Sequence, residues 1–395
     1  MEFVQTTGAL DAVALPLRVP AGETKAAARI PRPRLMSLDV MRGFAVLGMI
    51  VVNTLAFMPA AYGYRPDYAF LAHSPWAGFT FADFVFPAFI FMAGFSVAVS
   101  MQRKPSLDWT LLRRIAARSA GLLVIGFLLT NIDWFGHMDQ GTWRLPGVLQ
   151  RIGVCYFATA LLFVTCGFRM RLLIGAAVLL LYWPLTLLPF PHHSTDLMVP
   201  GANFVSWLDR TILGPHIFAT GSRGFDPEGL LSTLPAMAQC LLGAVVGEWL
   251  LRNRDSAAAP RQLAVTGFAS AALGLAWSPL FPVIKNIWTS SFVLFSTGLA
   301  MLLLALFYWA FDRKQVRFPA VTFLEAFGLN ALLAYVLQEL AQLMPAAGGD
   351  MHAIGAASLK TDMPALMANL PVIAFIVMLW IPLEFLRRRR WIVKI

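Results

Sequence analysis

A histidine, an aspartate and an asparagine lie near the ends of the first two apolar segments of the sequence. Asn53 closes the first segment, His73 follows in the connection, and Asp83 opens the second. A neutral histidine can act as a general base, and a carboxylate beside it can fix its tautomer. The amide of Asn53 can stabilise a developing oxyanion. The alternative for Asp83 is structural, because Thr80 suits a helix N-cap and Asp83 its third helical position.

Charged residues also accompany later apolar segments. Arg151 lies inside one of them, where a charge must either pair with an acid, such as Asp83 or Glu339, or contact a substrate. Asp226 and Glu228 precede the sixth segment. They are predicted either to cap its helix or to form a polar rim that holds an amino sugar.

The string from Lys285 to Ser291 (KNIWTSS) enters another apolar segment. It brings an amide, an indole and hydroxyls together within two helical turns. Thr289 and Ser290 are predicted either to act as caps alone or to belong to a ligand wall. The candidate ligand contacts are therefore Asn286, Trp288, Ser290 and Ser291, together with Trp76 from the connection that holds His73.

Basic residues cluster at the opposite ends of these segments. Asp39 and Arg42 lie one turn apart and could simply pair with each other as helix neighbours. Arg113, Arg114 and Arg118 begin the third segment. They are predicted either to anchor the topology or to bind a phosphate group on the cytoplasmic face.

The elements that must position these side chains are membrane helices. The chain of 395 residues is 58% hydrophobic and only 13% charged, with a mean hydropathy of +0.68. Soluble domains carry roughly 25% charged residues, so much of this surface must face lipid. We predict an all-α, polytopic membrane protein with about ten transmembrane helices. Their predicted ranges are 36–58, 79–101, 111–131, 146–167, 171–190, 229–251, 262–280, 288–311, 319–342 and 365–386.

The basic residues predict how the chain is oriented. With both termini in the cytoplasm, all Lys and Arg residues lie inside except Arg65, Arg144, Arg151, Arg210, Arg223, Lys285 and Lys360. This distribution accounts for the net charge of +10 without a nucleic-acid partner. Residues 1–35 are predicted to be a disordered cytoplasmic lead, and 36–395 a single transmembrane domain. The sequence has no HExxH motif, paired CxxC or nucleotide-binding glycine loop, so we predict no metal site.

Several strings, taken in order, closely resemble the heparan-α-glucosaminide N-acetyltransferase family, whose bacterial members include the NagX-type inner-membrane proteins. The first covers Ser37 to Gly43 (SLDVMRG), and the second runs from His73 through Trp76, Gly78, Thr80 and Asp83 to Pro87. The later strings are PGVLQRI from Pro146, FDPEGLLST from Phe225, WTSSF from Trp288 and FGLNAL from Phe327. The sequence departs from the family pattern at Pro75 and Ala77, beside the tryptophan.

The resemblance implies an acetyltransferase of the bacterial inner membrane. It implies acetyl-CoA from the cytosol as donor, and the amine of glucosamine or of a glucosamine-containing sugar as acceptor on the periplasmic side. The family's catalytic histidine falls on His73, and its supporting residues fall on Asn53 and Asp83. Arginines suit the polyanionic end of the donor, and the candidate donor contacts are Asp39, Arg42, Arg113, Arg114 and Arg118.

Other functions are compatible with the same pattern. Ten helices with polar groups at mid-depth also describe a sugar transporter or permease. An acyltransferase acting on a cell-envelope polysaccharide is a closer alternative. Direct transfer in a ternary complex and a relay through acetyl-histidine both fit the residues. The large apolar surface suggests a homodimer.

Overall fold

A computed structural model describes residues 35–62, 68–102, 105–136, 138, 141–191, 195–342 and 364–393. The regular elements of these residues are helices. They are α1 Met36–Tyr62, α2 Phe81–Ser100, α3 Trp109–Thr130, α4 Ile132–Gly136, α5 Val148–Thr165, α6 Phe168–Thr186, α7 Phe204–Leu213, α8 Thr233–Arg252, α9 Ala259–Trp277, α10 Ser290–Phe307, α11 Pro319–Leu329, α12 Ala331–Gln342 and α13 Pro364–Arg388. A π-helical turn, Tyr308–Arg313, extends α10. The predicted cytoplasmic lead lies outside the described residues, apart from Leu35.

Six of the described helices are long and apolar enough to cross a membrane. They are α1, α2, α5, α6, α8 and α10. Helices α3, α9 and α13 match the predicted ranges 111–131, 262–280 and 365–386 but are not among the six. The structure thus supports a polytopic, all-helical membrane protein, whereas the count of ten and the orientation of the termini stay predictions.

The prediction of one continuous helix over 319–342 is wrong. Helices α11 and α12 meet at Asn330 with a bend of 81°, so this range is a broken span or a re-entrant segment. The Asn330 side chain forms hydrogen bonds with the backbone of the segment that follows α13. Its Oδ1 accepts the N–H of Val393 at 2.8 Å, and its Nδ2 donates to the carbonyl of Trp391 at 3.1 Å.

Helix α2 lies at the centre of the bundle and α6 at its edge. The apolar window of α2 is 78% buried inside the protein, whereas that of α6 is 22% buried. Close contact between α2 and α8 depends on glycine, since a Cβ at Gly94 or Gly243 would overlap the backbone of the opposite helix. Asp83 therefore lies in the first turn of the most buried of these six described spans.

The N-terminus of α1 is capped by a residue from the far end of α10. Asp312, in the π-helical turn, accepts the backbone N–H groups of Met36 and Ser37 at 2.9 Å each. A carboxylate at this position satisfies two of the unpaired donors of the first turn and also interacts favourably with the helix dipole. The cap fixes the start of the helix that carries Arg42 and Asn53.

Candidate functional site

The connection that holds His73 is fastened to the loop before α10. Gly78 adopts a φ of +122°, a conformation that favours glycine, and its N–H donates to the carbonyl of Val283 at 2.9 Å. Ala77 and Ile284 form an isolated antiparallel bridge. These bonds place two loops that are distant in sequence against each other.

Asp83 collects most of the hydrogen bonds of this site. It is 1% exposed, and its Oδ1 lies 2.9 Å from His73 Nδ1. Its Oδ2 accepts the N–H of Ser74 at 3.0 Å, the hydroxyl of Ser74 at 2.8 Å and the N–H of Thr80 at 3.2 Å. The capping alternative is therefore realised as well, since Thr80 and Asp83 form a capping box. One carboxylate both starts α2 and orients His73.

The ring of His73 is accessible from outside this pair. Its side chain is 46% exposed, whereas that of Asp83 is almost fully enclosed. When Nδ1–H donates to the carboxylate, the lone pair is on Nε2, the nitrogen on the opposite side of the ring. The arrangement is that of a general base oriented by a buried acid.

Lys285 joins the histidine and the aspartate, and sequence reasoning missed it. Its Nζ lies 3.0 Å from His73 Nδ1 and 3.3 Å from Asp83 Oδ1. Burial lowers the pKa of this ammonium group, and the negative charges of Asp83 and Glu228 oppose that shift. The sequence string that begins with Lys285 predicts a ligand wall, but the charge pattern of the sequence explains the lysine only as one of the basic residues outside the cytoplasm.

Asn53 is not brought into contact with His73. It is half-buried on α1 and makes no hydrogen bond to another residue of the described part of the chain. Its amide is therefore available to a ligand, and its predicted role in oxyanion stabilisation stays a prediction.

The acidic pair before α8 binds an arginine instead of capping the helix. Asp226 accepts Nε of Arg144 at 2.9 Å, and Glu228 pairs with the same guanidinium. Asp226 also accepts the N–H groups of Phe218 at 2.8 Å and Glu228 at 2.9 Å. The capping alternative is wrong because α8 begins at Thr233 and is preceded by Ser232. Arg144 is a second residue that the sequence motifs did not identify.

Arg151 pairs with neither Asp83 nor Glu339, the two acids proposed from sequence. It is 2% exposed, donates to the carbonyl of Gly229 and the hydroxyl of Ser232, and lies over the indole of Trp288 at 4.9 Å. Its Nε and Nη1 have no hydrogen-bond partner among the described residues. The residue therefore links the loop before α8 to the loop before α10.

The other predicted acceptor contacts are largely buried. Trp288, Ser290 and Ser291 are fully enclosed, Trp76 is 6% exposed, and Asn286 is half-buried. The polar atoms of the enclosed side chains bind the protein, with acceptors Gln239 Oε1 and the carbonyls of Leu179, Pro282 and Leu197. Thr289 is the N-cap of α10, as its capping alternative predicts. Contact of these residues with a sugar stays a prediction.

At the other ends of α1 and α2 the structure has a cavity of about 420 Å³. Arg42 and Arg118 line it together with Ser96, and apolar residues that include Met49 and Phe89 continue it. Arg42 bonds to Asp39 at 3.2 Å, the neighbour pair expected from sequence, and donates to the Ser96 hydroxyl at 2.6 Å.

The arginines of α3 divide into two groups. The guanidinium of Arg118 lies 4.8 Å from the ring centre of Tyr156, and both residues line the cavity. Arg113 and Arg114 are exposed and do not line it. The donor role predicted for Asp39 and the four arginines stays a prediction, and the geometry favours Arg42 and Arg118.

A buried aspartate on α7 predicts a pH-dependent stability. Asp209, on α7, is 1% exposed; Oδ1 accepts the N–H of Leu230 at 2.8 Å, and Oδ2 has no hydrogen-bond partner among the described residues. Burial raises the pKa of Asp209 to about 7. Because the folded state binds this proton more tightly than the unfolded state, the stabilisation is complete below pH 4 and is lost as the pH rises through about 7.

We therefore expect Asp209→Asn to be more stable than wild type at pH 8.5, by on the order of 1–3 kcal/mol, with a small difference at pH 5. Thermal unfolding in detergent, followed by tryptophan fluorescence at both pH values, measures this. Asp196→Asn changes an exposed aspartate of the segment that precedes α7 and serves as the control. Equal stability of Asp209→Asn and wild type at pH 8.5 would contradict the expectation.

Comparison with known proteins identifies the family. The family described as "Heparan-alpha-glucosaminide N-acetyltransferase, catalytic" matches residues 34–281, more than half of the chain. The heparan-alpha-glucosaminide N-acetyltransferase of Homo sapiens is 30% identical over 362 residues, which covers 78% of this chain and 53% of that protein. The Mus musculus protein of the same name is 29% identical over 371 residues, with the same coverage. The chain spans about half the length of these relatives. It belongs to the heparan-alpha-glucosaminide N-acetyltransferase catalytic family.

Proposed function

We propose that this chain transfers the acetyl group of cytosolic acetyl-CoA to an amino sugar across the bacterial inner membrane. The observation that carries the proposal is the placement of two sites at opposite ends of α1 and α2. The His73–Asp83 pair lies at one end, and the cavity bordered by Arg42 and Arg118 at the other. The names of the relatives specify a glucosaminide acceptor and N-acetyl transfer.

The separation of the two sites suits a long, extended donor. From Arg42 to Asn53 is about 17 Å along α1, and from Ser96 to Asp83 is about 20 Å along α2, at 1.5 Å per residue. A single leaflet of the hydrocarbon core is about 15 Å thick. The arginines can bind the phosphates of the donor while its pantetheine arm reaches toward His73.

The lining of the cavity supports this path. Met49 lies one helical turn before Asn53 on α1, and Phe89 lies less than two turns after Asp83 on α2. The apolar middle of the cavity favours an uncharged arm over the charged nucleotide. A thioester held beyond Met49 and Phe89 would meet the exposed face of His73.

The chemistry needs a base, an oxyanion donor and a proton for the leaving group. The nitrogen of the acceptor amine attacks the thioester carbonyl. As it does so, Nε2 of His73 takes a proton from that amine. The amide of Asn53 donates to the oxyanion that forms. The C–S bond then breaks, and the thiolate takes the proton from His73. A relay through acetyl-His73 uses the same residues in two half-reactions.

The outer loops provide the acceptor side of the proposal. Glu228, in the loop before α8, is paired with Arg144. Its negative charge favours the charged form of Lys285 beside His73. A carboxylate there can attract the ammonium form of glucosamine or of a glucosamine-containing glycan before its deprotonation. The positive-inside distribution of Lys and Arg supports our inference that this side faces the periplasm.

Proteoliposomes test the proposal directly. Radiolabelled acetyl-CoA is supplied on one side of the membrane and glucosamine on the other, and labelled N-acetylglucosamine is measured. We expect Arg118→Met to raise KM for acetyl-CoA about tenfold, the loss of one charged contact worth roughly 1.4 kcal/mol. Arg113→Met, on the same helix but outside the cavity, is the matched control and should stay within twofold.

Two outcomes would overturn parts of the proposal. Equal effects of Arg118→Met and Arg113→Met would exclude the cavity as the donor site. Glucosamine accumulation without acetyl-CoA, and without labelled product, would favour a permease. The bend at Asn330 is the observation that favours that second candidate, since broken helices form the substrate sites of many transporters.

A further inference from the structure

The side chains of Lys285, His73 and Asp83 form a triangle, with edges of 3.0 Å and 3.3 Å from the ammonium nitrogen and 2.9 Å between imidazole and carboxylate. We propose that Lys285 is a positioning residue that keeps His73 uncharged and able to act as a base. The proposal deepens the function proposed above and rests on its assignment of His73. The lysine lies beyond residue 281, where the family match ends.

The backbone around Lys285 holds its side chain in place. The N–H of Trp288 donates to the carbonyl of Lys285 at 2.9 Å, closing a tight turn. Trp288 adopts a φ of +52°, which is uncommon for a bulky residue, and its indole donates to Gln239 at 3.1 Å. The bonds from Ala77 and Gly78 to this loop fix its distance from His73. The backbone conformation of this turn therefore fixes the position of Lys285 relative to His73.

The charges around the imidazole explain what the lysine does. Asp83 faces the ring from α2, Lys285 faces it from the loop before α10, and Glu228 acts on Lys285 from the loop before α8. With His73 neutral, the charges of Lys285 and Asp83 offset each other. Protonation of His73 would place a second positive charge 3.0 Å from the ammonium group. Because like charges repel, Lys285 disfavours this protonation. The lysine thus favours the neutral imidazole of His73 before the reaction. After the reaction it favours release of the proton that His73 has taken up.

The two contacts also fix the ring. Nδ1 donates its hydrogen to Asp83, so the ammonium group of Lys285 donates to Asp83 Oδ1 and acts on Nδ1 as a nearby positive charge, not as a donor. Nε2 then remains for the substrate. The lysine is on the far side of the ring from the reacting atoms. It therefore acts through His73 and Asp83 and does not touch the substrate.

The reaction of His73 with diethyl pyrocarbonate tests the inference without any acetyl transfer. This reagent modifies neutral imidazole, and mass spectrometry of the His73 peptide reports the rate at each pH from 5 to 9. In Lys285→Met, Asp83 is left unopposed and the protonated ring is favoured. We expect the midpoint of the rate profile to move up by about one pH unit. Lys285→Arg should restore the wild-type midpoint.

Controls separate this inference from the proposed function. Lys314→Met removes an exposed lysine near the end of α10 and should leave the midpoint unchanged. If Lys285→Met fails to fold, Lys285→Gln provides the same comparison. An unchanged midpoint in a folded Lys285 variant would overturn the inference. If wild type transfers no acetyl group while the midpoint still moves, the proposed function fails and the role of Lys285 stands.

Discussion

Replacement of His73 by alanine should lower the turnover number for acetyl transfer by about 10²–10⁴-fold, the usual contribution of a general base. The reason is that His73 presents the nitrogen opposite its bond to Asp83, whereas Asp83 itself is 1% exposed and its oxygens already accept hydrogen bonds from the protein. The measurement is the single-turnover rate with purified protein, radiolabelled acetyl-CoA and glucosamine. Acetyl-CoA binding should change by less than threefold, since His73 does not line the arginine-bordered cavity.

The matched control is His216→Ala. This histidine follows α7 and is stacked on Trp143 with ring centres 3.8 Å apart, and it bonds to the Trp143 carbonyl at 2.8 Å. It should retain transfer within about threefold of wild type. Transfer by His73→Ala at a tenth of the wild-type rate or more would show that the base is another group.

Asp83→Asn is expected to have an effect of similar size, a loss of about 10²–10⁴-fold in turnover, as for amide replacements of the aspartate in a catalytic triad. An amide at this position can donate to Nδ1 and thereby favour the tautomer that places the proton on Nε2. That nitrogen would then no longer accept a proton. The rate of transfer at saturating acetyl-CoA and glucosamine measures this.

A second variant separates this effect from loss of the helix cap. Asp108 caps α3 by accepting the N–H of Leu111 at 2.6 Å, so Asp108→Asn makes the same chemical change at another helix N-terminus. It should leave turnover unchanged and alter thermal stability only slightly. If Asp83→Asn and Asp108→Asn lower turnover equally, Asp83 serves the fold alone.

The amino-acid sequence predicts those contacts of the site that join residues close to one another in the chain. Ser74, Thr80 and Asp83 lie within ten positions of His73, and a capping box is a local pattern. The capping interpretation of Asp83 is confirmed, and the same carboxylate also contacts the imidazole, because its two oxygens are divided between His73 and the start of α2. Its catalytic role stays a prediction. The sequence had offered the two roles as alternatives.

Contacts between loops that are far apart in the chain could not be predicted from local sequence patterns. Lys285 and His73 are 212 positions apart, and Arg144 and Asp226 are 82 apart. The break at Asn330 was missed for the same reason, since its side chain bonds to residues 391–393. Hydrophobic periodicity detects a helix, but it does not register a backbone partner supplied from elsewhere.

The cap on α1 also has a consequence for the order in which the protein is made. Asp312 follows Met36 by 276 positions. At translation rates of about 5–20 residues per second, roughly 14–55 s separate the synthesis of α1 from the arrival of its cap. During that interval, the amides of Met36 and Ser37 lack the Asp312 carboxylate that accepts them in the folded protein. The stability of α1 during biogenesis therefore depends on other partners for these amides, such as water or lipid headgroups, until the end of α10 has been made.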